Sequence, residues 1–187
     1  KYLHDNKQPG YEFLYGIPGT IAGAVSMNAG AFEREIMPYV HSIDLLDENG
    51  AIYTLKNNEI SYSYRTSNIN EKSIIISVNL FKHKTNFDMN LLNLLNQKRK
   101  SSQPINQLSC GCIFKNPSGD YAARLIDSAQ LKGSRAGGIY ISHKHSNYFI
   151  NDGSGTYTDF LVLLRRVKEV IACKFSVKLD EEVILLK

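Results

Sequence analysis

No apolar run in this sequence is long enough to cross a bilayer. The longest, residues 73–81 and 160–164, fall far short of the roughly 20 residues that a membrane helix requires, so no membrane insertion is expected. A secretory pattern is also lacking, because residues 1–10 are polar and contain no apolar stretch. Cysteine is scarce, and Cys110, Cys112 and Cys173 make an odd set. Cys110 and Cys112 have no second Cys/His pair at ligand spacing, which argues against a zinc site or any other metal. A disulfide scaffold does not suit a chain of this size, so a reducing cytosol, and hence a cytoplasmic setting, is expected. The charge excess is only +4, gathered partly in Lys98-Arg99-Lys100 and around Lys82, His83 and Lys84. No basic stripe interleaved with aromatics is present, so no nucleic-acid partner is expected. A mild positive balance suits either an anionic ligand or an ordinary solvated surface. Internal repeats and low-complexity linkers are missing too. The chain begins at Lys1 rather than Met, which suggests a trimmed or incomplete start.

What remains is a composition of 43% hydrophobic and 21% charged residues over 187 positions, enough for one large or two small domains with real cores. Residues 1–86 open on a polar stretch and a glycine-rich loop. Strands are expected at 41–46, 51–55 and 73–81, with Asn49-Gly50 supplying positive φ for a tight hairpin. Residues 87–187 begin with a helix at 89–101, where Leu91, Leu92, Leu94 and Leu95 form an apolar stripe and Pro104 marks the stop. A strand at 110–114 follows, then a helix at 121–129 with Asp120 or Ser118 near its N-cap and Gly133 at its exit. Short strands are expected at 136–142 and 147–151, a long amphipathic helix at 158–174, and a final strand at 182–186. Strands and helices in mixed order, with hairpins, predict an α+β protein.

Several segments could carry chemistry. Gly16-Ile-Pro-Gly-Thr-Ile-Ala-Gly-Ala24 brings backbone N–H groups within reach of a phosphate or a flavin edge. It is neither a Walker A loop nor a dinucleotide Gly-x-Gly-x-x-Gly, and a structural turn entering a helix would read the same way. Asn28, beside Ala29 and Gly30, is suited to holding neighbouring backbone. Tyr64-Arg65 offers a guanidinium fork for a carboxylate or a developing enolate, though an isolated Arg commonly forms a surface ion pair. In Gly111-Cys-Ile-Phe-Lys-Asn-Pro117 the thiol of Cys112 is either reactive, with Lys115 favouring thiolate, or a buried inert group. His145 is either a titrating group or a hydrogen-bonded structural one. Glu182 stands at the entrance to an apolar run, where acidic side chains commonly face solvent.

Taken in order, these pieces resemble the UDP-N-acetylenolpyruvoylglucosamine reductase (MurB) family of peptidoglycan synthesis. The resemblance rests on Gly16–Ala24 as quoted, Met27-Asn-Ala-Gly-Ala31, Tyr64-Arg-Thr-Ser67, Gln103-Pro104, Gly111-Cys-Ile-Phe-Lys-Asn-Pro117, Ala129-Gln-Leu-Lys-Gly133, Gly137-Gly138, Lys144-His-Ser-Asn147 and Leu179-Asp-Glu-Glu-Val183. It implies the C-terminal part of an FAD-binding α+β domain over residues 1–86, followed by a smaller α+β substrate-binding domain over residues 87–187. It also implies an oxidoreductase in which NADPH reduces FAD and hydride passes to C3 of UDP-N-acetylglucosamine enolpyruvate. By the same resemblance Ile17, Pro18, Gly19, Thr20, Gly23 and Ala24 lie along the FAD. Arg65 and Glu182 stabilise the enolic intermediate, and Cys112 takes the place of the serine that protonates C2. Tyr64, Arg99, Gln103 and Asn116 hold the UDP-sugar.

The sequence departs from the family pattern in places. Ala22 stands where Gly is common, tolerable if its φ is negative. Phe32-Glu-Arg-Glu35 replaces a usual Tyr-Gly-Gly-Glu, so a differently shaped turn is expected there. Ile184 occupies a position that is often basic. The compact interval from Arg65 to Cys112 resembles the subgroup without the substrate-covering tyrosine loop. The small first domain of the family and its Gly-x-Gly-Ser-Asn loop are not represented. The alternative to a reductase is therefore a non-catalytic nucleotide-sugar-binding fragment that cannot hold FAD as presented. No motif fixes an oligomeric state.

Overall fold

Thr20 sets the first element. Its hydroxyl accepts the Gly23 N–H at 3.1 Å and caps α1 (Ile21–Ser26), the usual service of a Thr at a helix start. The computed structural model describes residues 5–84 and 86–186, which divide into two compact units, Lys1–Lys98 and Arg99–Lys187. In the first unit, α1 leads into a hairpin of β1 (Gly30–Ala31) and β2 (Arg34–Glu35). Its two turn residues, Phe32 and Glu33, both have positive φ (54° and 62°). This is the altered turn that Phe32-Glu-Arg-Glu35 predicts, built from residues that adopt it only under strain.

Strand β3 (Val40–Leu46) alternates buried and more exposed positions and pairs antiparallel with β4 (Ile52–Lys56). The turn between them is not the expected one. Only Gly50 takes positive φ (82°); Asn49 does not. Asp47 organises the loop instead: its N–H donates to Ala51 O at 3.0 Å, and its Oδ1 accepts from Asn49 N and Ala51 N, each at 2.8 Å. A loop closed in this way needs a single left-handed residue. A short hairpin follows, β5 (Tyr62–Ser63) and β6 (Thr66–Ser67), and then β7 (Ile74–Leu80), which flanks β3 on its other side in the order β4-β3-β7. Val25, Ile36, Met37, Val40, Ile43 and Leu45 are all fully buried at the centre of this unit.

Helix α2 (Met89–Ser102) starts on Asp88, whose Oδ1 accepts from Asn90 and Leu91 N–H. Its leucines do not form the single stripe expected. Leu92 is buried, whereas Leu94 is 48% exposed, because two residues turn the helix by about 200°. The buried line runs from Leu92 to Arg99 instead.

The second unit has α3 (Ala122–Ser128), the strands β8 (Arg135–Ala136), β9 (Ile139–Ile141) and β10 (Phe149–Asn151) in the order β10-β9-β8, and α4 (Tyr157–Phe175). Asp120 stands directly before the N-cap of helix α3, as expected, and its Oδ1 accepts Tyr121 N–H at 2.7 Å. Tyr121 is the N-cap residue itself, and Asn116 Oδ1 accepts the Ala122 N–H at 3.1 Å. Its exit is made by Gln130 in the left-handed region (φ 60°), upstream of Gly133. Helix α4 begins on a Thr156/Asp159 capping box and buries Leu163, Leu164, Val167 and Ile171 along one face. These pack with Ile113, Phe114, Leu125, Ile126, Ile141 and Phe149.

Two expected strands are absent from the named strands. Residues 110–114 make isolated bridges, Cys112 to Tyr148 and Phe114 to Glu181, because Gly111 at φ 88° kinks the chain out of a regular ladder. Residues 182–186 form no ladder either. Val183 and Leu185 pack on the core while Ile184 and Leu186 are exposed, so the alternation serves packing without a backbone partner. The architecture is a mixture of helix and antiparallel sheet, the α+β class expected.

Candidate active site

In the second unit, three chain segments fix Cys112 through its neighbours. Asn147 is buried, its Oδ1 accepts Phe114 N at 3.0 Å, and its Nδ2 donates to Phe114 O at 2.8 Å. Ile113 N donates to Asn147 O at 2.9 Å. On the opposite side Glu182 N donates to Ile113 O at 2.8 Å, and Lys115 N donates to Asp180 O at 2.9 Å. The segment carrying Cys112 is thus gripped between the segments carrying Asn147 and Glu182, with side-chain amide bonds standing in for a missing ladder.

Tyr148, bridged to Cys112 across this pair, collects the site's polar groups. It is buried, with 9% of its surface exposed. Burial, then the ionised form of Cys112, raises its pKa well above the usual phenol range; the nearby Arg99 charge opposes this and Glu182 adds to it. Arg99, on the last turns of α2, is 8% exposed and donates from Nη1 to Gln103 Oε1 at 3.2 Å. Burial lowers its pKa, with Tyr148 and Cys112 acting in the opposite sense; a guanidinium remains charged regardless. Of the residues singled out in the sequence, Cys112 is thus the bridge partner of Tyr148, the charges of Arg99 and Glu182 act on its phenol, and Gln103 is bound to Arg99. Asn116 lies just beyond Cys112, with its Oδ1 engaged in capping α3.

His145 is the structural histidine of the two readings. Its ring meets Tyr148 edge-on at 4.7 Å, and its Nδ1 accepts Asn147 N–H at 3.3 Å. Burial lowers its pKa, which keeps the ring neutral. Tyr148 itself is the residue that sequence reasoning missed. It stands in an apolar run and reads as core; the one available signal is that a buried tyrosine hydroxyl needs a partner.

The first unit holds the other predicted residues. Ile17, Pro18, Gly19 and Thr20 form the approach to α1, and Gly23 and Ala24 lie within it. Gly19 has φ 120° with nothing within 4 Å of where a Cβ would stand, so its backbone faces open space. Ala22 is helical with negative φ, meeting the condition for a residue larger than Gly. Tyr64 and Arg65 make the turn of the β5–β6 hairpin, with the guanidinium 4.9 Å over the Tyr64 ring. Three bonds tie this hairpin to the chain leaving α1. Arg65 Nη2 donates to Gly30 O at 2.8 Å, Asn28 Nδ2 to Ser63 O at 2.9 Å and Ser67 Oγ to Ser26 O at 2.6 Å. Asn28 is fully buried and also binds Glu35 Oε2 and Met37 N, the backbone-holding role its setting suggests.

Among the described residues no group of three or more His, Cys, Asp or Glu side chains is placed to hold a metal ion, and no helix is long and apolar enough to cross a membrane.

Comparison with known proteins gives the same direction throughout. Residues 103–186 match the family profile described as UDP-N-acetylenolpyruvoylglucosamine reductase, C-terminal domain. The enzyme of that name from Fusobacterium nucleatum subsp. nucleatum is 38% identical over 186 residues, covering 100% of this chain and 66% of its own length. That from Caldanaerobacter subterraneus subsp. tengcongensis is 41% identical over 177 residues, covering 93% and 59%. A crystal structure of the enzyme from Thermus caldophilus superposes with a TM-score of 0.86 at 33% identity, covering 97% of this chain and 65% of that one. The chain thus spans about three fifths to two thirds of the length of these relatives. It belongs to the UDP-N-acetylenolpyruvoylglucosamine reductase family.

Proposed function

We propose that the complete protein is a cytoplasmic, NADPH- and FAD-dependent reductase converting UDP-N-acetylglucosamine enolpyruvate to UDP-N-acetylmuramate for peptidoglycan synthesis. In this reading residues 1–86 belong to the flavin domain and residues 87–187 to the substrate domain. The observation that supports it best is that the backbone bonds of Ile113 hold the segment carrying Cys112 against the one carrying Glu182, while Arg99, buried and bound to Gln103, acts on the same Tyr148 as both.

The loop of the first unit fits a flavin edge in one respect: the backbone at Gly19 is open to close approach. Ile17, Pro18, Gly19, Thr20, Gly23 and Ala24 would line it. When bound and reduced by NADPH, the flavin would supply hydride to C3 of the enolpyruvyl group. The consequences fall to side chains. Hydride at C3 leaves an electron pair at C2, delocalised into the carboxylate, and a cation there lowers the barrier. Arg65 takes that part. Glu182 assists only as a neutral acid donating a hydrogen bond, since a carboxylate would repel the enolate. The Cys112 thiol delivers the proton to C2; with an ordinary pKa of about 8.5 it is a far stronger acid than an alcohol. Tyr64, Arg99, Gln103 and Asn116 hold the UDP-sugar, with Arg99 supplying fixed positive charge from a buried position.

Two measurements on the full-length protein test this. A flavin absorbance band in the purified protein supports the reductase, while a colourless protein that still binds UDP-sugar favours a non-catalytic binding module. Cys112→Ser should keep substantial turnover, and Cys112→Ala should lose the proton-transfer step by roughly 100-fold or more. Equal turnover in Cys112→Ala and the parent would remove Cys112 from the mechanism.

A further inference from the structure

We infer that Lys168 is a positioning residue: through its ion pair with Glu181 it holds the segment carrying Glu182 in place beside the segment carrying Cys112. The inference rests on the reading of Glu182 as a group of the reaction, and its test separates the two.

The backbone sets which acid faces where. Phe114 and Glu181 are antiparallel bridge partners, with Lys115 N donating to Asp180 O at 2.9 Å and Glu182 N donating to Ile113 O at 2.8 Å. Directly opposite residues of an antiparallel pair send their side chains to the same face. Phe114 is buried in the core, so Glu181 points the same way. Leu179 and Val183, two residues to either side, pack on that core too, as the period of extended chain requires. Glu182 therefore takes the opposite face.

An acid in an apolar row needs a counter-charge. Lys168 supplies it from α4. It stands between the fully buried Val167 and Ile171, and its Nζ lies 2.6 Å from Glu181 Oε1, with the two side chains 31% and 28% exposed. Burial pushes the Glu181 carboxyl up; the Lys168 hydrogen bond, helped by a backbone bond and by lysine charge, outweighs it and holds the group below the ordinary glutamate value. Lys178 contributes to that charge, but it is 84% exposed and lies 3.8 Å from Asp180. Lys168 is thus the partner that reaches Glu181 from a packed helix.

What the pair steadies is a short contact. Among the described residues no named strand continues the bridge between Phe114 and Glu181. The two backbone bonds around it keep Glu182 beside Ile113, next in sequence to Cys112. Without Lys168 the Glu181 carboxylate is left partly buried with its main counter-charge gone, a costly state. Its escape to solvent turns residue 181 out of the bridge and releases both bonds, and Glu182 moves with them.

Lys168→Met in the full-length enzyme removes the charge and keeps an apolar stem. Amide hydrogen exchange at Lys115 and Glu182 reads the contact without flavin or turnover. The amides of Ile141 and Ser142, bonded to Ser134 O and Tyr148 O, report the general stability of the same unit. Exchange at Lys115 and Glu182 should become roughly tenfold faster with Ile141 and Ser142 unmoved, and kcat should fall roughly tenfold with little change in KM. Two double variants test rescue. Lys168→Glu/Glu181→Lys reverses the pair, and Lys168→Met/Glu181→Leu replaces it by apolar side chains, a change that is commonly neutral for stability. Each should return both readouts to within about threefold of the parent. Exchange and kcat unchanged in Lys168→Met overturn the inference. Faster exchange spread equally to Ile141 and Ser142 overturns it as well, as does a loss that neither double variant restores. Faster exchange confined to Lys115 and Glu182, combined with full turnover in Glu182→Ala, upholds the Lys168 anchor and overturns the Glu182 reading alone.

Discussion

Asn147 does for this protein what a longer strand would do elsewhere. Its amide accepts from and donates to the backbone of Phe114, both bonds buried, in the gap where Gly111 interrupts regular pairing. Asn147→Ala leaves a buried N–H and a buried C=O unpaired, which should cost about 3 kcal/mol in chemical denaturation. Cys112 alkylation should also become faster as the segment loosens. The sequence shows Asn147 within a motif, but not this job, because the job depends on a kink 36 positions earlier in the chain. Asn28 is the contrary case. An Asn beside small residues and Gly already suggests backbone holding, and its buried amide does so at three points.

At the scale of elements, what could be anticipated divides by mechanism. Strands β3 and β7 and helix α4 follow from periodicity, and their cores are apolar where the period places them. The stripe on α2 fails for a geometric reason: four leucines at 91, 92, 94 and 95 wrap too far around the helix to share one face. The expected strand at 182–186 fails because alternation reports which side chains are buried and says nothing about whether a neighbouring backbone is present. Helix α3 shows a local rule displaced by a longer one. Asp120 looks like its cap, yet Asn116 takes the Ala122 N–H, and Asp120 pairs with Arg124 one turn on and with Tyr121 N. That pairing, above all the Arg124 hydrogen bond, lowers the Asp120 pKa to about 2. A depressed carboxylate pKa contributes stability that is complete above the unfolded value near 4 and lost as pH falls toward 2. Carboxyl NMR should show Asp120 titrating near 2 in the parent. In Arg124→Met the midpoint should return toward ordinary aspartate values.

At the scale of the molecule, two compact units each carry part of the predicted machinery: the Gly16–Ala24 loop and Arg65 in one, Cys112 and Glu182 in the other. The family was legible from motif order, since each short segment admits a bland explanation and only their succession does not. The altered turn at Phe32 and Glu33 was legible as a departure. The place of Tyr148 opposite Cys112 was not, because nothing in a short apolar run reveals which distant residue its backbone will bridge.

The three bonds that join the β5–β6 hairpin to the chain leaving α1 have a consequence for hydrogen exchange. Segments separated by some forty positions in sequence become one opening unit, so neither can expose its amides while the other stays closed. In the parent protein, residues 20–30 and 62–67 should therefore exchange with a shared free energy of opening. Asn28→Ala should split them, with the hairpin amides exchanging at least tenfold faster and β3 unaffected. Independent exchange of the two segments in the parent would show that Arg65 is carried by its own turn and not by the glycine-rich loop's foundation.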